Sequence, residues 1–108
     1  MSDCLFCKIV AGEIPSSKVY EDDVCYIDPQ APTHFLVVPK AHIGSVSEIT
    51  ADNSTVVAHI FEVIAKLTKE KGLDSYRVVS NIGEQAGQSV FHLHFHVLSG
   101  RDMTWPPG

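Results

Sequence analysis

Three histidines alternate with apolar residues in Phe91-His92-Leu93-His94-Phe95-His96-Val97-Leu98. The aromatic and β-branched neighbours favour an extended strand, on which every second side chain points to the same face. A strand over Phe91 to Leu98 therefore lines up His92, His94 and His96 roughly 7 Å apart. It sends Leu93, Phe95 and Val97 to the opposite face. One histidine is usually packing or a surface accident; three on one face need a reason. Two chemistries use such a row. Three imidazoles can hold a metal, or one can attack as a nucleophile with its neighbours in support. The nucleophile needs an unprotonated ring nitrogen and a partner for the other nitrogen. On a phosphorus centre it also needs donors for the phosphate oxygens. The polar stretch Asn81 to Ser89, with Gly83 and Gly87, is placed to offer backbone amides.

A second group is the C-x-x-C pair Cys4-Leu5-Phe6-Cys7. Read as zinc ligands, the pair needs two further donors, typically histidines, and His42 is available. The competing readings are two free thiols or a redox couple. A redox couple expects a preceding strand in a βαβ setting, and the chain start offers none. Cys25 lies in the apolar run Val24-Cys25-Tyr26-Ile27 and reads as a buried, inert thiol.

The elements that must position these groups are legible in outline. The spacing predicts a short helix from Leu5 to about Ala11, closed by Gly12. Val19-Tyr20 and Val24 to Ile27 flank the acidic turn Glu21-Asp22-Asp23 and read as a hairpin. Pro29 and Pro32 are expected to break the chain before a compact apolar strand from His34 to Val38. Val56, Val57, Ile60, Val63, Ile64 and Leu67 recur at helical spacing, which predicts a long helix over Asp52 to Lys71. Thr50 or Asp52 is the expected N-cap and Gly72 the residue that ends it. Arg77 to Ser80 reads as a strand. His59, inside the long helix, reads as a helix-face histidine with no assigned role. Strands joined by short turns around one long helix argue for an α+β fold with an antiparallel sheet, the helix on one face and chemistry on the other.

A chain of 108 residues with 44% hydrophobic content is the size of one domain with a modest core. Eight Lys and Arg against thirteen Asp and Glu give a net charge of −5 and no basic face. Nucleic acid is therefore not an expected partner. No stretch approaches the roughly 18 apolar residues of a membrane span. Met1-Ser2-Asp3-Cys4 shows no basic region followed by an apolar run. The three cysteines are not an even disulfide set. The expectation is a cytoplasmic protein.

The run His92-Leu93-His94-Phe95-His96-Val97-Leu98 resembles the signature of the histidine-triad family. Gly87-Gln88-Ser89-Val90 before it, Ala31-Pro32-Thr33-His34-Phe35-Leu36-Val37-Val38-Pro39-Lys40 upstream, Glu13-Ile14-Pro15 and the terminal Trp105-Pro106-Pro107-Gly108 resemble the Hint branch of that family. The resemblance runs over the whole chain, with the motifs in the same order. It implies one HIT domain over residues 1–108, with an antiparallel sheet of about five strands, one long helix and a short N-terminal helix.

The resemblance further implies a hydrolase of purine nucleoside 5′-phosphoramidates. It cleaves the P–N bond at the α-phosphorus through a nucleotidyl-histidine intermediate on His94. His92 and His96 flank that nucleophile, with His96 near the phosphate oxygens, and His34 supports the triad. Ser89 matches the serine beside the leaving group and Asn81 an asparagine that contacts the nucleotide. Gly87, Gln88 and Val90 belong to the same nucleotide-binding stretch. Phe6, Ile9, Ile27 and Leu36 match apolar positions lining the purine pocket. Tyr26 stands where Hint proteins usually carry a ribose-binding aspartate, and Asp28, two residues on, takes that role. Some related proteins bind a structural zinc through a C-x-x-C pair, a separate histidine and the first triad histidine, which here are Cys4, Cys7, His42 and His92. No catalytic cofactor is implied. The family is typically a homodimer, with Trp105 near the partner's site. The alternatives are a dinucleoside polyphosphate hydrolase and a zinc-stabilised nucleotide-binding protein with little turnover.

Overall fold

The computed structural model describes residues 4–13, 20–21, 25–31 and 34–106, with the backbone alone described for 20–21 and 25–31. The chain is α+β, with one long helix and a short N-terminal one, as expected. Helix α1 spans Leu5–Val10, with Cys4 at its N-cap and Gly12 in the left-handed region at φ +83° just beyond its end. Helix α2 spans Ser54–Glu70. Of the roughly five strands expected, three are described with their side chains: β3, His34–Pro39; β4, Arg77–Val79; and β5, Phe95–Leu98. The backbone of Tyr20–Glu21 (β1) and Cys25–Ala31 (β2) continues the sheet. The order is β1-β2-β3-β5-β4, with every described pairing antiparallel.

The long helix has a different start from the one expected. Neither Thr50 nor Asp52 caps it. Asn53 sits at the N-cap, but its Oδ1 turns back to accept from the Thr50 N–H at 2.7 Å. The end is as expected. Gly72, at φ +71°, lets Leu73 N–H reach the Thr68 carbonyl at 2.8 Å and Gly72 N–H the Lys69 carbonyl at 3.1 Å, the pair of bonds that closes a Schellman turn.

Pro29 does not break the chain. It lies within β2, opposite Phe35, and the ladder shifts register between Pro29 and Ala31. A register shift is where a residue without an N–H is tolerated in a sheet. Pro32 and the turn at Asp22 and Asp23 lie outside the described residues.

β3 is buried on both faces, and the alternation of its side chains sorts the interior into two layers. Phe35 and Val37 join Leu93, Phe95 and Val97 under Ile60, Val63, Ile64 and Leu67 of α2. Burying an aliphatic or aromatic side chain of this kind stabilises by about 1.5–3 kcal/mol, so this layer is the main source of stability. Leu36 and Val38 face the other way and pack with Phe6 of α1, with Cys4, Ile9 and Val90 against them. The register Leu36↔His96 puts the last triad histidine on that second face, beneath α1 rather than α2.

The histidine run is only half a strand. β5 begins at Phe95, and the backbone of Phe91 to His94 leaves the ladder. There Leu93 N–H donates to the Ile43 carbonyl instead. The departure frees the main-chain groups of His92 and His94 for side-chain partners.

Candidate active site and metal site

His94 is 8% exposed, and its Nδ1 lies 2.7 Å from the main-chain carbonyl of His92. A carbonyl only accepts, so Nδ1 carries the proton and Nε2 keeps its lone pair. The backbone of His94 is held as well: Ser80 Oγ donates to its carbonyl at 2.8 Å. Ser80 follows β4 at the point where the ladder with β5 stops, so a hydroxyl takes the place of a main-chain bond.

The ring of His96 stands 5.1 Å from that of His94, steeply tilted at 71°. His34 reaches it from β3, with Nε2 3.0 Å from His96 Nδ1. Burial, then His94, then His34, holds the His96 imidazolium below its ordinary value of 6.5. Where His34 Nε2–H is the donor of this pair, a neutral His96 carries its own proton on Nε2. On the other side of His94, the ring of Phe6 packs edge-on at 5.0 Å. His34, His94, His96, Phe6 and Leu36 thus gather on one face of the sheet.

His92, fully buried, faces elsewhere. Its Nε2–H donates to the Pro39 carbonyl at 2.8 Å, which leaves Nδ1 as a lone pair. That nitrogen lies 3.2 Å from Cys4 Sγ and 3.5 Å from Cys7 Sγ, and His42 Nδ1 lies 3.2 Å from Cys7 Sγ. All four ligand atoms fall within 4.8 Å of one another. A tetrahedral zinc with bonds of about 2.0–2.3 Å places its N and S ligands about 3.5 Å apart. The donor set, its spacing and the carbonyl behind His92 all fit a structural zinc site, since a ligating histidine characteristically donates its other N–H to such a group. Cys7 N–H also points at Cys4 Sγ, 3.4 Å away. Burial, then Cys4, pushes the Cys7 thiol up from 9.0.

A HIT-like protein of Synechococcus elongatus is 43% identical over 98% of this chain and 97% of its own length. The chain belongs to the histidine-triad (HIT) family. A family model described as "Scavenger mRNA decapping enzyme C-term binding" matches residues 3–105. A HIT family hydrolase of Legionella pneumophila superposes with a TM-score of 0.92, at 46% identity over 98% of this chain and 100% of that one. A histidine triad protein of Clostridium difficile gives 0.89 at 48%, over 96% of each chain. The fold is that of a HIT-family hydrolase.

In this HIT chain the residues expected from sequence divide into three groups. The four proposed metal ligands come together without exception. Phe6, Ile9, Leu36 and Val90, expected to meet the purine or its nucleotide, share one apolar cluster beside His94. Asn81 and His96 line a single concavity of about 310 Å³ with Val79 and Leu98. Ser89 is exposed and lines a separate one, of about 270 Å³, with Cys4, Val90, Leu5 and Phe91. Gly87 is left-handed at φ +100°, and a Cβ there would stand 3.5 Å from Asn81 Nδ2. Gln88 is buried, with its side chain spent on backbone partners. Trp105 stands 83% exposed on this chain. The side chains of Ile27 and Asp28 lie outside the described set. Ser80 and the carbonyls of His92 and Pro39 were not legible from the sequence, because a serine after a strand and a main-chain oxygen carry no pattern.

Among the described residues no helix is long and apolar enough to cross a membrane.

Proposed function

We propose that this protein hydrolyses purine nucleoside 5′-phosphoramidates, with His94 as nucleophile. The observation that carries the reading is the bond from His94 Nδ1 to the His92 carbonyl, which leaves Nε2 unprotonated beside His96. A hydroxyl at that place would need a base to activate it; a correctly fixed neutral imidazole does not.

In the first step the Nε2 lone pair attacks the α-phosphorus and the P–N bond breaks. The electron pair leaves on the amine, which takes a proton from solvent with the Ser89 hydroxyl beside it. The product is a nucleotidyl group on His94. Water then attacks the same phosphorus and gives one proton to solvent, the P–Nε2 bond breaks, and the nucleoside monophosphate leaves with His94 restored. Two moderate barriers replace one high one. His96, with its proton on Nε2, donates to a phosphate oxygen, and the stretch from Asn81 to Val90 supplies further donors. The apolar cluster of Phe6, Ile9 and Leu36 accepts the purine, and Asp28, whose backbone pairs with Leu36, meets the ribose.

Cys4, Cys7, His42 and His92 would hold zinc, which supplies rigidity and no chemistry on the substrate. The same reading makes the chain one HIT domain of the Hint branch and a homodimer whose Trp105 approaches the partner's site.

Incubation with adenosine 5′-phosphoramidate tests the proposal, with His94→Ala alongside. AMP release by the native chain alone, and acid-labile label on the native chain after a quenched single turnover, are the expected results. Release by the variant at the native rate would refute His94 as nucleophile. No release by either, with turnover of diadenosine polyphosphates, would move the assignment to that substrate class.

A further inference from the structure

We infer that Gln88 is a positioning residue: it shapes the loop beside His94 from within and never touches the nucleotide. The inference rests on the proposed function only in that this loop faces the phosphate. Its basis is an accounting of one buried amide.

The side chain of Gln88 is 4% exposed. Its Nε2 donates to the Gly44 carbonyl at 2.8 Å and to the Val90 carbonyl at 3.1 Å, and its Oε1 accepts from Gly83 N–H at 2.9 Å. Two carbonyls and one N–H fix which end of the amide is which. Both donor hydrogens are spent, and the group is sealed from solvent, so no donor remains to offer a phosphate oxygen. The main chain of Gln88 closes the same ring, donating to the Gly83 carbonyl at 3.0 Å. Between these two anchors lie the single turn Glu84–Ala86 and the left-handed Gly87.

One side chain therefore ties three stretches together. Gly83 opens the loop. Val90 follows it. Gly44 belongs to the segment carrying His42, and its own N–H is held by Glu48 Oε1 at 2.9 Å. Ser89 is the exposed residue between Gln88 and Val90, both pinned by this amide. A hydroxyl on a free loop would sample many directions; here its two neighbours are fixed, and so is the direction in which it and its N–H are presented. Loss of the amide leaves at least three main-chain groups seeking partners, which the loop satisfies by moving.

The test uses the full chain with Gln88→Met, similar in length but without hydrogen-bonding atoms, and two measurements. One is AMP affinity by calorimetry. The other is amide hydrogen exchange in the free protein at Ala86, Gly87 and Gln88, none of which is bonded to the Gln88 side chain. The expected result is AMP binding about tenfold weaker, faster exchange at those three amides before any nucleotide is added, and native exchange in Ser54–Glu70. AMP affinity within about twofold of native would overturn the inference. So would weaker AMP binding with native loop exchange, which is the signature of a direct contact. Faster exchange throughout Ser54–Glu70 as well would overturn it in favour of a general effect on stability. Should the methionine variant fail to fold, Gln88→Glu keeps the acceptor for Gly83 but sets oxygen against the Gly44 and Val90 carbonyls, and the same outcomes apply. None of these readings uses turnover, so a native chain without phosphoramidase activity would sink the proposed function and leave the test of Gln88 standing.

Discussion

The ring of His94 donates to the main-chain carbonyl of His92 across 2.7 Å, while the ring of His92 turns its Nδ1 to Cys4 and Cys7. One residue thus serves two sites, with its side chain in the metal cluster and its carbonyl fixing the tautomer of the neighbour. Whatever holds the His92 ring also holds the oxygen on which His94 depends. The Pro39 carbonyl does so from one side and the metal cluster from the other.

The first prediction concerns that coupling. Purified protein should carry one zinc per chain, and Cys7→Ser or His42→Ala should lose it. Because neither residue touches the reacting phosphorus in the proposed chemistry, kcat should fall without vanishing, and the melting temperature should drop by about 5–10 °C. Metal analysis and a thermal melt check both. Undiminished zinc in both variants would refute the four-ligand set.

Ser80 is predicted to act on His94 through the backbone alone. Ser80→Ala removes the donor to the His94 carbonyl, a loss of about 1 kcal/mol. Steady-state kinetics should show kcat reduced several-fold with KM unchanged. A change confined to KM would place Ser80 in substrate binding instead.

Phe6 packs edge-on against both His94 and His92, at 5.0 and 5.8 Å, and is the centre of the smaller apolar cluster. Phe6→Leu keeps much of the volume and removes the ring, at a cost of about 1 kcal/mol in stability. If the cluster receives the purine, KM for an adenosine substrate should rise more than kcat falls. Equal KM values would remove Phe6 from the base pocket.

His96 predicts how stability follows pH. Its folded value lies below the ordinary 6.5 through burial, His94 and His34, so the unfolded chain takes up the proton first as pH falls. Stability attributable to His96 is therefore present above pH 6.5 and is lost on acidification through the window beneath it. Melting curves of the native chain and His96→Asn between about pH 5 and 8 should converge at the acid end. A constant gap between them would contradict the assignment.

Trp105, at 83% exposure, is unusual for so large an apolar side chain on a lone chain. The proposed homodimer gives it a place. Sizing should find two chains, and removal of residues 103–108 or Trp105→Ala should shift preference among phosphoramidate leaving groups. A native chain that elutes as a monomer would refute this.

The sequence by itself determined the elements that depend on local pattern. Apolar spacing drew the long helix, Gly72 its Schellman end, and strict alternation the sorting of Leu93, Phe95 and Val97 from the histidines. The C-x-x-C pair was legible too, because two thiols at that spacing are a ligand pattern; His42 was a candidate third ligand, and His92 as the fourth came only from the resemblance to the family. Tertiary structure alone decided three things. The triad leaves the ladder before Phe95, so its histidines divide between two sites instead of forming one row. The tautomer of His94 is set by a main-chain oxygen, which every residue carries and no pattern marks. Gln88, Ser80 and the Pro39 carbonyl act through partners far along the chain or through the backbone. Side-chain periodicity reports which face a residue takes; it does not report which polar groups the packed chain leaves unpaired for that residue to satisfy.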